Sequence, residues 1–316
     1  MPTDPLRVVF MGSPALARPT LQRLYEGPHQ VVGVFCQPDK RAGRGRKMTP
    51  PPVAVCAHDQ CLSVHQPRSL RNPEVIEQIR GMAPDLIVVV AYGKILPPAV
   101  LAIPRLGCVN VHVSLLPSYR GAAPIQWAII RGETVTGVTT MFMEEGLDTG
   151  PILMQRVEPI YDHDTTESLG ARLSEIGADL LVQTVHGLQA GALVATPQEH
   201  EQATWARILT KDVGAIDWTQ PARMVERLIR GTHPWPGAFT RRQGKRLKVI
   251  QALLVDHAGG THEPGEVVAA GRAGLTVACG DGFLSLIQVQ PEGKRAMDAR
   301  SYVNGFRVEA GEKWGP

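Results

Sequence analysis

Cysteines are few, and none of the five (Cys36, Cys56, Cys61, Cys108, Cys279) stands in a C-x-x-C spacing. That excludes the paired-thiol signatures of structural zinc and of dithiol redox sites. Cys56 and Cys61 close the run CAHDQC, but no second ligand pair matches it. No metal is expected, and the thiols read as core or surface groups of a reduced, cytoplasmic protein. Aromatics are also sparse, at 5%, within an apolar content of 43% that is ordinary for a globular chain. No apolar run is long. The longest, Leu86 to Tyr92, stops at Gly93 and Lys94, far short of the roughly 20 residues that span a bilayer. The start, MPTDPLRVVFMG, enters an apolar strand at once, so no signal or transit peptide is expected. Repeats and low-complexity tracts are missing, although 32 Gly and 26 Pro forecast many turns. Gly12-Ser13-Pro14 follows the first strand where a dinucleotide fold would carry G-x-G-x-x-G, so a nicotinamide site has no support.

What the chain does have is segregated charge. The net charge of +3 contains +4 within residues 36–48 and +7 within 206–250, which leaves −8 elsewhere. Two basic stretches on an acidic body point to a polyanionic partner rather than to two solvated faces. The apolar pattern divides the chain as well. Strand-like runs at 6–12, 31–36, 62–64, 85–93, 108–113 and 138–143 alternate with helical spacing at 15–24, 53–61, 73–82, 123–132 and 166–190. Continuous apolar strands between helices predict a parallel-rich α/β sheet covered on both faces. From Gly237 onward, short strands are separated by Gly turns, the pattern of a small β-barrel. The expected division is 1–205 for the α/β domain and 206–316 for the barrel, entered through a short helix at 221–230.

Candidate chemistry concentrates at Asn110, His112 and Asp148. The first two lie in GCVNVHVSLLPSYRGAAPIQ, and the third in GLDTGPIL, 36 residues beyond His112. An amide can donate to the oxyanion of a tetrahedral intermediate. An imidazole can move a proton, and a carboxylate can orient it. None of the three is a good covalent nucleophile here, so direct transfer of an acyl group between two nitrogens is the natural reading. A lone histidine is more often a satisfied core residue; two residues from Asn110, and followed by this loop, the functional reading is the stronger one.

The motifs VVFMGSP, QPDK-x-AGRG, VVVAYGKILP, GCVNVHVSLLPSYRGAAPIQ, GLDTGPIL, IDW, HPWPGA and QPEGKRAM resemble those of the folate-dependent formyltransferase family, and among them the methionyl-tRNA formyltransferases. The resemblance runs from the first strand to about Met297. It implies a Rossmann-like formyltransferase domain followed by an OB-like β-barrel that binds tRNA. It also implies 10-formyltetrahydrofolate as formyl donor, the free amino group of initiator methionyl-tRNA as acceptor, and a monomer. Asn110, His112 and Asp148 would be catalytic, with the general base unassigned. Tyr92, Ile95, Leu96, Pro97, Ser114, Leu115, Leu116, Pro117, Ser118 and Tyr119 would line the folate cleft. Ser118 stands where many members have Arg, which leaves its own role open. Arg120 and Gly121 would open the next helix, with N–H groups facing the ligand. The basic loop, with Lys40, Arg41, Arg44, Arg46 and Lys47, would enter the acceptor stem, Arg44 foremost. The basic barrel residues Arg241, Arg242, Lys245, Arg246 and Lys248 would meet the RNA backbone. Trp218, Trp235 and Phe239 can stack on bases, although the two tryptophans read better as hydrophobic anchors. Two other readings stay open: a formyltransferase for a small amine such as an amino-sugar nucleotide, and a tRNA-binding protein without catalysis. The AGRG loop and the basic C-terminal segment weigh against the first of these.

Overall fold

The computed structural model describes residues 4–42, 47–256, 261–271 and 274–315. The chain forms two compact units. One comprises Met1–Gly121, Val135–Pro159 and Gly170–Trp205, and the other Ala122–Thr134, Ile160–Leu169 and Ala206–Pro316.

In chain order the elements begin with β1 (Arg7–Gly12), α1 (Arg18–Glu26), β2 (Gln30–Phe35), β3 (Lys40–Ala42), β4 (Lys47–Thr49), α2 (Pro52–Asp59), β5 (Val64–His65), α3 (Pro73–Gly81) and β6 (Leu86–Val90). There follow α4 (Pro98–Leu101), β7 (Cys108–His112), the two-residue β8 (Arg120–Gly121), α5 (Pro124–Arg131), β9 (Val135–Phe142), β10 (Ile152–Pro159), α6 (Thr166–Gln189) and the two-residue β11 (Trp205–Ala206). The remainder holds α7 (Ala222–Thr232), β12 (Phe239–Arg242), β13 (Lys245–Val255), β14 (Val267–Gly271), β15 (Gly274–Ala278), β16 (Phe283–Pro291), β17 (Met297–Asp298) and α8 (Ala299–Phe306).

The first unit is built on a seven-stranded sheet in the order β10-β9-β7-β6-β1-β2-β5. Strands β7, β6, β1, β2 and β5 run parallel, and β9 and β10 add antiparallel pairs at one edge. The central strands bury every residue from Leu86 to Val90 and from Cys108 to His112; in the first this matches an unbroken apolar run, and in the second it buries Asn110 and His112 among apolar neighbours. Chain order reverses between β1 and β6, and ligands bind beyond the carboxyl ends of strands near such a switch. Asn110 and His112 end β7 on that side.

The second unit carries an antiparallel half-barrel in the order β12-β13-β16-β15-β14, with β17 on β16. Its core includes Trp218, Leu247, Val249, Leu275, Val277, Leu284, Leu286 and Val289, and α8 contributes Tyr302 and Val303. Trp218 is therefore a core residue of the barrel, its indole N–H donating to the Thr240 hydroxyl at 3.0 Å. Arg242 forks onto Glu312 with N···O distances of 2.6 and 2.7 Å. It also donates to the carbonyls of Phe306 and Arg307.

Hydrogen bonds from Arg242 hold the Glu312 carboxyl down at about 2, against an ordinary 4.5. Because the folded group is the stronger acid, its stabilisation is complete above about pH 4.5 and is lost as pH falls through 2. Glu312→Gln is expected to destabilise by on the order of 2 kcal/mol at pH 7. The gap from wild type should shrink steadily between pH 4.5 and 2 in urea unfolding. A gap that does not vary with pH would contradict this role for the pair.

Candidate active site

Side chains two apart on a strand share one face, so Asn110 and His112 project together from the end of β7. Antiparallel β9 places Met141 opposite Asn110 and Thr139 opposite His112. The Thr139 hydroxyl organises the loop beyond. It donates to the Ser114 carbonyl at 2.7 Å and accepts from the Leu116 N–H and the Gln155 amide. Within the loop, Ser114 Oγ donates to the Ser118 carbonyl at 2.6 Å. Tyr119 then takes a left-handed backbone (φ +62°) and its N–H meets Thr204 Oγ1. This turn brings the Tyr119 carbonyl to 3.0 Å from His112 Nε2. A carbonyl only accepts, so Nε2 carries a proton, and Nδ1 is the nitrogen left for proton exchange.

Nδ1 lies 3.7 Å from Asp148 Oδ2. That carboxylate is mostly buried, and Oδ2 accepts from the Gly121 N–H at 2.9 Å. Gly121 thus directs its N–H at Asp148, three residues before α5 begins. This differs from the expectation that Arg120 and Gly121 open the helix with donors facing a ligand. Asp148 itself is left-handed (φ +53°), a conformation that Asn and Asp tolerate better than other non-glycine residues. Gly150 closes the same turn, where a Cβ would collide with the Phe142 carbonyl oxygen. The GLDTG spelling is therefore a backbone requirement as well as a chemical one.

Among the described residues no hydrogen bond engages the side-chain amide of Asn110, although the residue is 8% exposed. The buried side-chain polar atoms left without a partner among the described residues are His65 Nε2, Tyr92 Oη and Arg246 Nε, so the Asn110 amide is not sealed off but stays reachable for a ligand oxygen. The geometry thus offers an open N–H donor beside an imidazole–carboxylate pair. The three buried thiols offer no comparable foothold: burial pushes Cys36, Cys108 and Cys279 up to about 12, so at neutral pH they are not thiolates.

The residues read as cleft lining are placed unevenly. Leu115, Pro117 and Ser118 are half-buried on the loop after β7, and Ser114, Leu116 and Tyr119 are buried. Ile95 is 77% exposed, and Pro97 is half-buried. Tyr92 and Leu96 instead have side chains in the core with Phe35 and Cys108. What Tyr92 presents outward is its backbone carbonyl, which accepts from the Gln37 amide at 3.0 Å.

The basic residues separate in the same way. Strands β3 and β4 form an antiparallel hairpin that exposes Lys40, Arg41 and Lys47, whereas Arg44 and Arg46 lie outside the described residues. On the barrel, Arg241 and Lys245 are exposed, and Lys248 is half-buried. Arg242 is held by Glu312, and the Arg246 guanidinium lies 3.6 Å over the Phe239 ring. Phe239 is therefore capped by a cation within its own hairpin. Trp235 is 54% exposed.

Sequence reasoning missed Gln198. Buried at 6% exposure, it donates from Nε2 to the carbonyls of Asp148 (2.9 Å) and Gly150 (2.7 Å). Its segment, ATPQEHEQ, carries no periodicity or motif that would single it out. The Tyr119 carbonyl was equally invisible, because backbone groups have no spelling. No group of three or more His, Cys, Asp or Glu side chains among the described residues is arranged to hold a metal. No helix among them is long and apolar enough to cross a membrane.

The family model for formyl transferase matches residues 6–185, and that for the formyl transferase C-terminal domain matches 208–307. Methionyl-tRNA formyltransferase of Trichlorobacter lovleyi is 48% identical over 305 residues, covering 96% of each chain. The protein of the same name from Geotalea daltonii is 48% identical over 310 residues, covering 98% of each. Among solved structures, HypX from Aquifex aeolicus in complex with tetrahydrofolic acid matches with a TM-score of 0.67 at 20% identity. That match covers 98% of this chain and 48% of HypX, so the chain spans about half the length of HypX. WlaRD, a sugar 3N-formyl transferase, matches with a TM-score of 0.65 at 18% identity over 92% of this chain and 99% of its own. At such identities these two structures speak to the fold alone.

Proposed function

This chain belongs to the methionyl-tRNA formyltransferase family, and we propose that it transfers the formyl group of 10-formyltetrahydrofolate to the free amino group of methionyl-tRNA. The observation that carries the reading is the open Asn110 amide beside His112 and Asp148 at the end of β7. The amine attacks the formyl carbon and a tetrahedral intermediate forms. Asn110 donates to its oxyanion, a bond made fully only once charge develops. The attacking nitrogen gives up its proton to the His112–Asp148 pair. His112 is suited to this because Nε2 is fixed on the Tyr119 carbonyl, which leaves Nδ1 free to exchange. Collapse of the intermediate returns a proton to the folate nitrogen as its bond to the formyl carbon breaks. No covalent enzyme intermediate is needed, in keeping with buried thiols that stay protonated.

The half-buried loop of Leu115, Pro117 and Ser118 would form one wall of the folate cleft, with Ile95 and Pro97 on another. Of the residues assigned to that cleft, Tyr92 and Leu96 would support it from the core. The 206–316 segment would hold the tRNA in company with the β3–β4 hairpin, and the protein would act as a cytoplasmic monomer. Of the basic residues singled out in the sequence, Arg241, Lys245 and Lys248 on the barrel and Lys40, Arg41 and Lys47 on the hairpin have side chains available to phosphates.

Purified protein is expected to move labelled formyl from the folate to methionyl-tRNA; absence of transfer by folded protein would remove the reading. The hairpin's part has its own test. The combined change Lys40→Ala, Arg41→Ala and Lys47→Ala should weaken tRNA binding and lower the slope of log affinity against log salt by about two to three. The KM for the folate should stay as it is. An unchanged salt slope would take the hairpin out of the RNA interface.

A further inference from the structure

Arg120 is 3% exposed, yet no carboxylate is bonded to it among the described residues. Its guanidinium donates to Gln198 Oε1 through Nε at 3.0 Å and Nη2 at 2.6 Å, and Nη2 also lies 3.0 Å from His200 Nδ1. A buried cation placed on a neutral amide is an unusual choice for stability alone, since a carboxylate would compensate its charge better. What the arrangement does achieve is orientation. Arg can only donate, so the amide oxygen of Gln198 must face it, and the Gln198 NH2 must face the other way. There both of its hydrogens are used, on the carbonyls of Asp148 and Gly150. These two carbonyls flank Thr149 in the turn that holds Asp148 left-handed. The residue after Arg120, Gly121, grips the Asp148 carboxylate from its own N–H. Asp148 is thus held at both ends, through the backbone by Gln198 and through the side chain by Gly121, and both holds lead back to the Arg120–Gly121 pair.

We propose that Gln198, locked by Arg120, is a positioning residue that fixes the backbone of Asp148 and so the approach of its carboxylate to His112. Gln198 touches neither reacting atom; it acts through Asp148. This rests on the formyl-transfer reading for its kinetic consequence but not for its structural one.

The test is a pair of variants, Gln198→Met, which keeps the volume and removes both donors, and Gln198→Glu, which keeps an acceptor for Arg120 but sets carboxylate oxygen against two carbonyls. Each is expected to lower kcat by about 10- to 100-fold with KM for folate and for methionyl-tRNA within about threefold. In an Asp148→Asn background, where the carboxylate charge is already gone, Gln198→Met is expected to cost less than threefold more. Crystal structures of the two variants should show Asp148 departing from its left-handed backbone or its carboxylate leaving the Gly121 N–H. Unchanged kcat in either folded variant, or losses that multiply in full with Asp148→Asn, would overturn the proposal. An unmoved Asp148 in the variant structures would overturn it too. If the wild type transfers no formyl group at all, it is the functional reading that fails, and the position of Asp148 in the variant structures still decides the positioning role.

Discussion

Asn110→Ala is expected to reduce kcat for formyl transfer by about 100- to 1,000-fold, the usual cost of losing one oxyanion donor. The KM for the folate and the affinity for methionyl-tRNA should change little, because the bond matters most in the transition state. Stability supplies an independent mark. The Asn110 amide has no hydrogen-bond partner among the described residues, so truncating it breaks no bond in the folded state and thermal midpoint should not fall as it does for other buried polar deletions. Asn110→Asp sharpens the point, since it keeps the shape and turns the donor into an acceptor facing a developing negative charge. Its rate should be no better than that of Asn110→Ala. A fall in Tm with normal kcat would reduce Asn110 to a strand-end residue.

His112→Ala and Asp148→Asn form the second large prediction. Either change alone should lower kcat by about 100- to 10,000-fold, the span of general acid–base contributions. The two residues lie 3.7 Å apart and serve one proton transfer, so combining the changes should add little to the more severe single loss. Asp148→Asn retains an oxygen for the Gly121 N–H, which keeps the turn and isolates the charge. Single losses that multiply in the double variant would mean that the residues act at separate steps.

Much of the fold is legible in the amino-acid sequence. The strand of Asn110 and His112 could be read because Cys108, Val109 and Val111 surround two polar residues in a run that is buried throughout. The parallel sheet could be read because its strands are apolar on both faces, as Leu86 to Val90 are. Strand β10 was missed for the opposite reason. It is the edge strand, and Gln155, Arg156 and Glu158 break its apolar pattern. The hairpin of β3 and β4 read as a loop because β4 is exposed throughout, as are Lys40 and Arg41 of β3, so no buried period shows. At the proposed site, residue types pointed to Asn110, His112 and Asp148, and Gly150 pointed to a turn. Spelling could not announce what holds them. The Tyr119 carbonyl is backbone, and Gln198 stands 50 residues from Asp148 in chain order. Arg242 read as an RNA contact because charge patterns do not name partners. Its partner, Glu312, lies 70 residues away.

The most direct test of the central claim is a competition for the formyl donor. Wild type and Asn110→Ala would each be given labelled 10-formyltetrahydrofolate together with methionyl-tRNA and an amino-sugar nucleotide. The site and the two basic segments predict label on the methionyl amino group for wild type, little on the sugar amine, and loss of nearly all transfer in the variant. Label that moves to the sugar and spares the tRNA, or transfer that persists unchanged without Asn110, would contradict the account.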